Sequence, residues 1–168
     1  MFTDVQLLQI KNAAMRALHV PGNYRGGILE MALAVDYHMD GGQLRTQCGQ
    51  IAGALKRTDE IFRNVRLNLI KWVSDDEIIK EVSSLAALQL GRGFEDHEPE
   101  RGHDGKSLDE LLRQLKLFYA RSKIIILITD GSYRRVDEEK IREHLQPFLG
   151  RKLVVVTSGR VSSGREWM

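Results

Sequence analysis

The 168-residue chain predicts a doubly wound α/β domain of Rossmann-like type, with a mostly parallel sheet and helices on both faces. Three observations carry that prediction. The runs Ile28–Val35, Ile124–Ile128 and Leu153–Thr157 are short and almost wholly apolar, as strands covered on both faces must be. Amphipathic helical patterns lie between them, and such alternation calls for parallel pairing through right-handed crossovers. Two of the runs open into acidic loops, Asp36-Tyr37-His38-Met39-Asp40 and Thr129-Asp130-Gly131-Ser132. In an open α/β sheet those strand ends line the ligand crevice.

The first element is a helix from about Asp4 to Leu18, capped by Thr3 or Asp4, with Val5, Leu8, Met15 and Leu18 at helical spacing. Pro21-Gly22-Asn23 and Gly26-Gly27 break the chain before the Ile28–Val35 strand. After Asp40-Gly41-Gly42 a helix is predicted over Gln43–Asn64, its stripe formed by Leu44, Cys48, Ile51, Leu55 and Phe62. Arg66–Val73 reads as a second strand. Ser74-Asp75-Asp76-Glu77 is a turn, and Ile78–Val82 returns as an antiparallel edge strand ahead of helix-like structure over Leu85–Leu90. Gly91–Gly105 is a charged loop with only Phe94 to bury, a lid or a mobile segment. Ser107-Leu108-Asp109-Glu110 matches a capping box for a helix through Leu111, Leu112, Leu115 and Phe118. A last helix is expected over Asp137–Leu149, with Val136 and Ile141 as its staple and Gly150 as its stop.

Composition narrows the function classes. A length of 168 residues fits one domain with a real core, divided into an N-terminal helix and linker (1–25), a core (26–159) and a tail (160–168). The net charge of +2 gives no reason to expect a polyanion, so no nucleic-acid partner is predicted. Cys48 is the single cysteine and sits on an apolar helix stripe, so it reads as core. The chain starts without a signal-peptide pattern and its longest apolar run is far short of a membrane span. A cytoplasmic protein with no membrane partner is the expectation, whether the chain is whole or a piece of a longer one.

This order of elements resembles the von Willebrand factor A domain over roughly Gly27 to Gly159. The anchors are the strand ending in Asp36, the helix after Gly41-Gly42, the strand–turn–edge strand at Arg66–Ser83, the segment Asp104-Gly105-Lys106-Ser107-Leu108, and the strand ending in Thr129-Asp130-Gly131. The resemblance implies the strand order 3-2-1-4-5. Many members of that family carry a metal-ion-dependent adhesion site built from Asp-x-Ser-x-Ser, a threonine from a second loop, and the aspartate of Thr-Asp-Gly. Asp36 and Asp130 match that pattern. His38 and Asp40 stand where the serines would, and Lys106 falls at the threonine position with Ser107 one residue later.

Those departures leave three readings of the site. Lys106 can take the cation position itself, giving a metal-free ion-pair cluster with Asp36, Asp40 and Asp130 that is joined by Ser107 and Ser132. A Mg2+ or Mn2+ ion can remain, although an imidazole is a poor substitute for a hydroxyl oxygen. A transition metal can use His38 with Asp36, Asp40 and Asp130. Against all three, Asp36 and Asp130 can simply cap turns, Ser107 can serve only as a helix cap, and His38 and Lys106 can be surface groups. His97 and His103 have no compact ligand spacing and read as a solvated loop, as do Arg134 and Arg135.

No nucleophile elbow, phosphate-binding loop or dinucleotide fingerprint occurs. The leading expectation is a non-catalytic protein-interaction module that binds a protein partner at the carboxyl ends of strands one and four. By the resemblance, that partner belongs to a multi-protein assembly of the ATPase-associated kind. The alternatives are a divalent-metal-dependent hydrolase or phosphoryl-transfer enzyme using Asp36, Asp40 and Asp130, and a purely structural domain. Only Arg160–Met168 follow the last predicted strand. Its edge therefore calls for a second chain, which includes a homo-oligomer, or for cover by the N-terminal helix.

Overall fold

A computed structural model describes residues 1–18, 27–58, 60–98, 106–118, 122–148 and 152–163. Its strands are β1 (Leu29–Asp36), β2 (Val65–Trp72), β3 (Ile78–Ser83), β4 (Ile124–Thr129), β5 (Leu153–Thr157) and β6 (Arg160–Ser163). They form one sheet in the order β3-β2-β1-β4-β5-β6. The pairs β1–β2, β1–β4 and β4–β5 are parallel, while β2–β3 and β5–β6 are antiparallel. The doubly wound α/β fold and the 3-2-1-4-5 order are those read from the sequence.

The helices are α1 (Asp4–Leu18), α2 (Gly41–Thr58), α3 (Leu85–Gln89), α4 (Leu108–Phe118) and α5 (Glu138–Leu145). Alternation along the buried strands divides the core in two. Met31, Leu33, Val35, Ile126, Ile128 and Val156 face α1, α2 and α3. Ala32, Ala34, Ile70, Ile125, Leu127 and Val155 face α4 and α5. A sheet covered on both faces needs the unbroken apolar runs that the sequence supplies. Cys48 is buried in the first of these layers.

Four local expectations are corrected. The segment Arg160–Ser163, expected within a tail, forms β6 and turns back onto β5. Ser158 (φ 49°) and Gly159 (φ 86°) make the two-residue connection with both φ angles positive, the twist that antiparallel hairpins favour. The edge of β5 is thus paired within the chain. The α1 helix has the expected bounds, but Val5 and Leu8 are exposed and Ile10, Ala14, Ala17 and Leu18 are buried. Small alanines let α1 approach β4, β5, β6 and α2 closely. The predicted Gln43–Asn64 helix ends at Thr58, followed by a short 3-10 turn at Glu60–Phe62. Asp137 caps α5 by accepting from the amides of Glu139 and Lys140, whereas Val136 is exposed and makes no staple. Gly150, expected as the stop of that helix, and His103 lie outside the described residues.

Candidate functional site

Val35 lies opposite Ile128 in the β1–β4 register, which brings Asp36 and Thr129 together at the carboxyl ends. Thr129 Oγ1 donates to Asp36 Oδ2 at 2.6 Å and accepts from the Gly131 amide at 3.1 Å. Gly131 turns the chain at φ 85°, a conformation that suits glycine. The turn carries Asp130 round to face β1. Asp130 Oδ1 accepts from the Ser132 amide at 2.9 Å, and its Oδ2 pairs with His38 Nε2 at 2.8 Å.

His38 bridges the two aspartates. Its Nδ1 lies 2.8 Å from Asp36 Oδ1 and 2.8 Å from Lys106 Nζ. Lys106 Nζ contacts Asp36 Oδ1 directly, and it stands 4.9 Å from the centroid of the Trp72 ring. As a neutral ring, His38 donates from Nε2 to Asp130 and accepts at Nδ1 from the ammonium. A protonated ring donates from Nδ1 to Asp36 instead. The sequence therefore places Asp36, His38, Lys106 and Asp130 together, and the fold brings them into contact.

Backbone and side-chain bonds hold Lys106 in this position. Arg134 N donates to Lys106 O and Leu108 N donates to Arg134 O, both at 2.9 Å, tying the segment ahead of α4 to the loop after β4. Ser107 caps α4 by accepting from the Glu110 amide at 3.3 Å. The capping box expected there is only half formed. The Ser107 amide donates to Asp75 Oδ1 at 2.7 Å, while the Glu110 carboxylate is taken by Arg113 and Gln114.

Two members of the predicted set stand apart. Asp40 does not join the contacts of Asp36 and Asp130, because its Oδ2 accepts from the Gln43 amide at 2.9 Å and caps α2. It borders the same crevice with His38 and Asp130. Ser107 reaches Asp75 instead of Asp36 or Asp130, and Ser132 contributes its amide to Asp130.

Electrostatics follow from burial and partners. Lys106 is only 3% exposed, and burial pushes its ammonium down to about 7 while the Asp130 charge opposes that fall. Partial burial pushes the Asp130 carboxyl up, but the Ser132 amide and His38 outweigh it and hold the group below the usual carboxylate range. One donor atom from each of Asp36, His38 and Asp130 lies within 4.8 Å of the others. That spacing suits a cation in general. It does not fit a resident Mg2+ or Mn2+ ion, which needs a near-complete oxygen shell. The Lys106 ammonium already stands on Asp36, and both His38 nitrogens are engaged.

A second polar cluster was not expected from the sequence. Lys71 on β2 is 1% exposed, and its Nζ donates to Glu81 at 2.7 Å and to Asp96 at 2.8 Å. Tyr37 O–H donates to the same Asp96 oxygen at 2.5 Å, and the Lys71 ammonium lies 5.1 Å from the Tyr37 ring centroid. Burial, Asp96 and Glu81 together keep the Tyr37 hydroxyl protonated. His97 packs edge-on against Tyr37 at 5.0 Å and its Nε2 bonds Met39 O at 2.7 Å, so it is docked and not solvated. These contacts anchor the described part of the charged loop beside the first cluster. Arg135, by contrast, forms a two-bond pair with Glu138 on the surface.

No model of a known protein family matches this chain, and no curated protein matches it. Among the described residues, no helix is long and apolar enough to cross a membrane.

Proposed function

We propose that this domain is a non-catalytic protein-interaction module that docks a protein partner on the face formed by the carboxyl ends of β1 and β4. In this reading the face is an adhesion-type site of the von Willebrand factor A kind whose cation is supplied by the chain itself. The observation that carries it is the buried Lys106 ammonium seated on Asp36. An ammonium neutralises a carboxylate without offering the open coordination positions that metal-assisted hydrolysis requires. His38 extends the cluster to Asp130 at the surface, so the exposed loop ends are held in one arrangement before any partner arrives. Such preorganisation lowers the ordering cost of docking.

A photoreactive residue incorporated in place of Ser132, on this face, tests the reading in the protein's native cell. The control is the same residue in place of Lys123, which is exposed beside the opposite end of β4. A defined adduct from position 132 and none from 123 is expected. Equal labelling at both positions overturns the docking face. So does turnover of p-nitrophenyl phosphate with Mg2+, Mn2+ or Zn2+ that Asp36→Asn abolishes.

A further inference from the structure

His38 stands in a turn whose two flanks are held by one loop. The Met39 amide donates to Asp36 O at 3.1 Å and closes that turn. On the near flank, Tyr37 is fully buried and its O–H is fixed on Asp96 Oδ1, which also accepts from Lys71 Nζ. On the far flank, His97 Nε2 donates to Met39 O, because a carbonyl oxygen can only accept. Phe94 is 2% exposed and roots the loop beside Tyr37, with ring centroids 6.4 Å apart. The loop Phe94–His97 thus grips the residue on either side of His38.

This grip matters because His38 borders open space. Cavities of about 240 Å3 and about 370 Å3 both include it in their lining, and the larger is also lined by Phe94, Glu95 and His97. Tight packing, which holds most interior side chains in one rotamer, is therefore incomplete around this ring. Yet one ring nitrogen meets Asp130 while the other meets Asp36, both at 2.8 Å. Meeting both at once requires a fixed main-chain direction at residue 38.

Gly41, the first residue of α2, supplies an independent observation. A Cβ there would lie 2.9 Å from His97 Nδ1 and 3.1 Å from His97 Cγ. Gly41 is not among the glycines with positive φ, so its backbone does not call for glycine. Alanine is also the better helix former. The missing side chain instead makes the space in which the His97 imidazole sits.

We infer that the loop Phe94–His97 is a clamp that holds His38 on Asp130, with Asp96 and His97 as positioning residues and Gly41 as the seat of His97. Its consequence for a partner rests on the docking face proposed above. The clamp itself is measured on the free protein, so its failure and the failure of that face are told apart.

The test is NMR-detected hydrogen exchange in the full chain carrying Gly41→Ala, His97→Ala or both. Exchange of the Met39 amide should accelerate by about tenfold in each single variant, the effect of one lost hydrogen bond. The double variant should be no faster than His97→Ala, because both changes remove the same contact. The Ile126 amide in β4 reports global opening and should stay unchanged. The His38 Nε2–H proton, held on Asp130 in the parent, should exchange faster in all three variants. Unchanged Met39 exchange in His97→Ala overturns the inference. Equal acceleration at Met39 and Ile126 also overturns it, since the loop then adds only to overall stability. An unaltered His38 ring proton beside an accelerated Met39 overturns the positioning of His38, and an additive double variant overturns Gly41 as the seat. These results with no position-132 adduct remove the docking face and leave the clamp standing.

Discussion

Lys106 Nζ rests on Asp36 Oδ1 although the two residues are 70 positions apart in the sequence and both are buried. The contact joins the end of β1 to the segment preceding α4. It makes one loop's position depend on a charge in another, and the first prediction follows from it.

Lys106→Met keeps a similar volume and removes the charge. Asp36 then stays buried without its cation, and breaking such a pair from one side costs ~3–5 kcal/mol. Urea unfolding should show a midpoint lowered accordingly with little change in slope. An unchanged midpoint contradicts the pairing.

Thr129→Val removes the hydroxyl that donates to Asp36 and accepts from Gly131 while leaving the shape of the strand end almost unchanged. The loss should be ~1–3 kcal/mol, the cost of leaving a buried acceptor unmet. Hydrogen exchange at the Gly131 amide should accelerate in the same variant, since that amide donates to Thr129 Oγ1.

The second cluster predicts a pH dependence. Partial burial pushes the Asp96 carboxyl up, but hydrogen bonds from Lys71 and Tyr37 outweigh it and hold the group below its ordinary value of 3.8. The unfolded chain therefore binds this proton first on acidification. The stability that Asp96 contributes is present above about pH 3.8 and is lost as the pH falls through its lower folded value. Parent and Asp96→Asn melting curves should differ near neutrality and converge toward acid. A constant difference across that range contradicts the prediction.

Lys71→Met tests the same cluster from its centre. Glu81 and Asp96 are both partly exposed, so losing the ammonium strands no deeply buried charge. Stability should fall by no more than ~1.5 kcal/mol, while the Asp96 carboxyl moves back up toward its ordinary value by NMR titration. A fixed Asp96 titration contradicts the assigned pairing.

The fold was legible because its central strands are buried on both faces and therefore read as continuous apolar runs, bounded by Asp36 and Thr129 where the crevice begins. The edge strand β6 was missed because Val161 is flanked by arginine and serine. The signal that marks it is Ser158-Gly159, a pair able to take two positive φ angles. The face of α1 was misjudged because it is packed by alanines, which hydropathy spacing weighs less than Val5 and Leu8. Asp36, His38, Lys106 and Asp130 were found from loop position and from the resemblance, since each sits at or next to a strand end or a helix start. Asp40 was assigned to the same contacts, but the free amides at the start of α2 compete for it. Lys71 was hidden, because a lysine in a strand reads as a solvent-facing residue until Asp96, 25 positions later, is seen beside it.

Substitution of Lys106 for a metal ion on Asp36 is tested by the melting temperatures of the parent and of Lys106→Met, each with and without 10-fold steps of Mg2+ from about micromolar to about 10 mM. An ion that binds only the folded state raises the melting point once its concentration exceeds the dissociation constant. A flat parent and a Lys106→Met variant that Mg2+ stabilises are expected. A parent that Mg2+ stabilises, or a variant that it does not rescue, shows that Lys106 does not stand in for a metal ion.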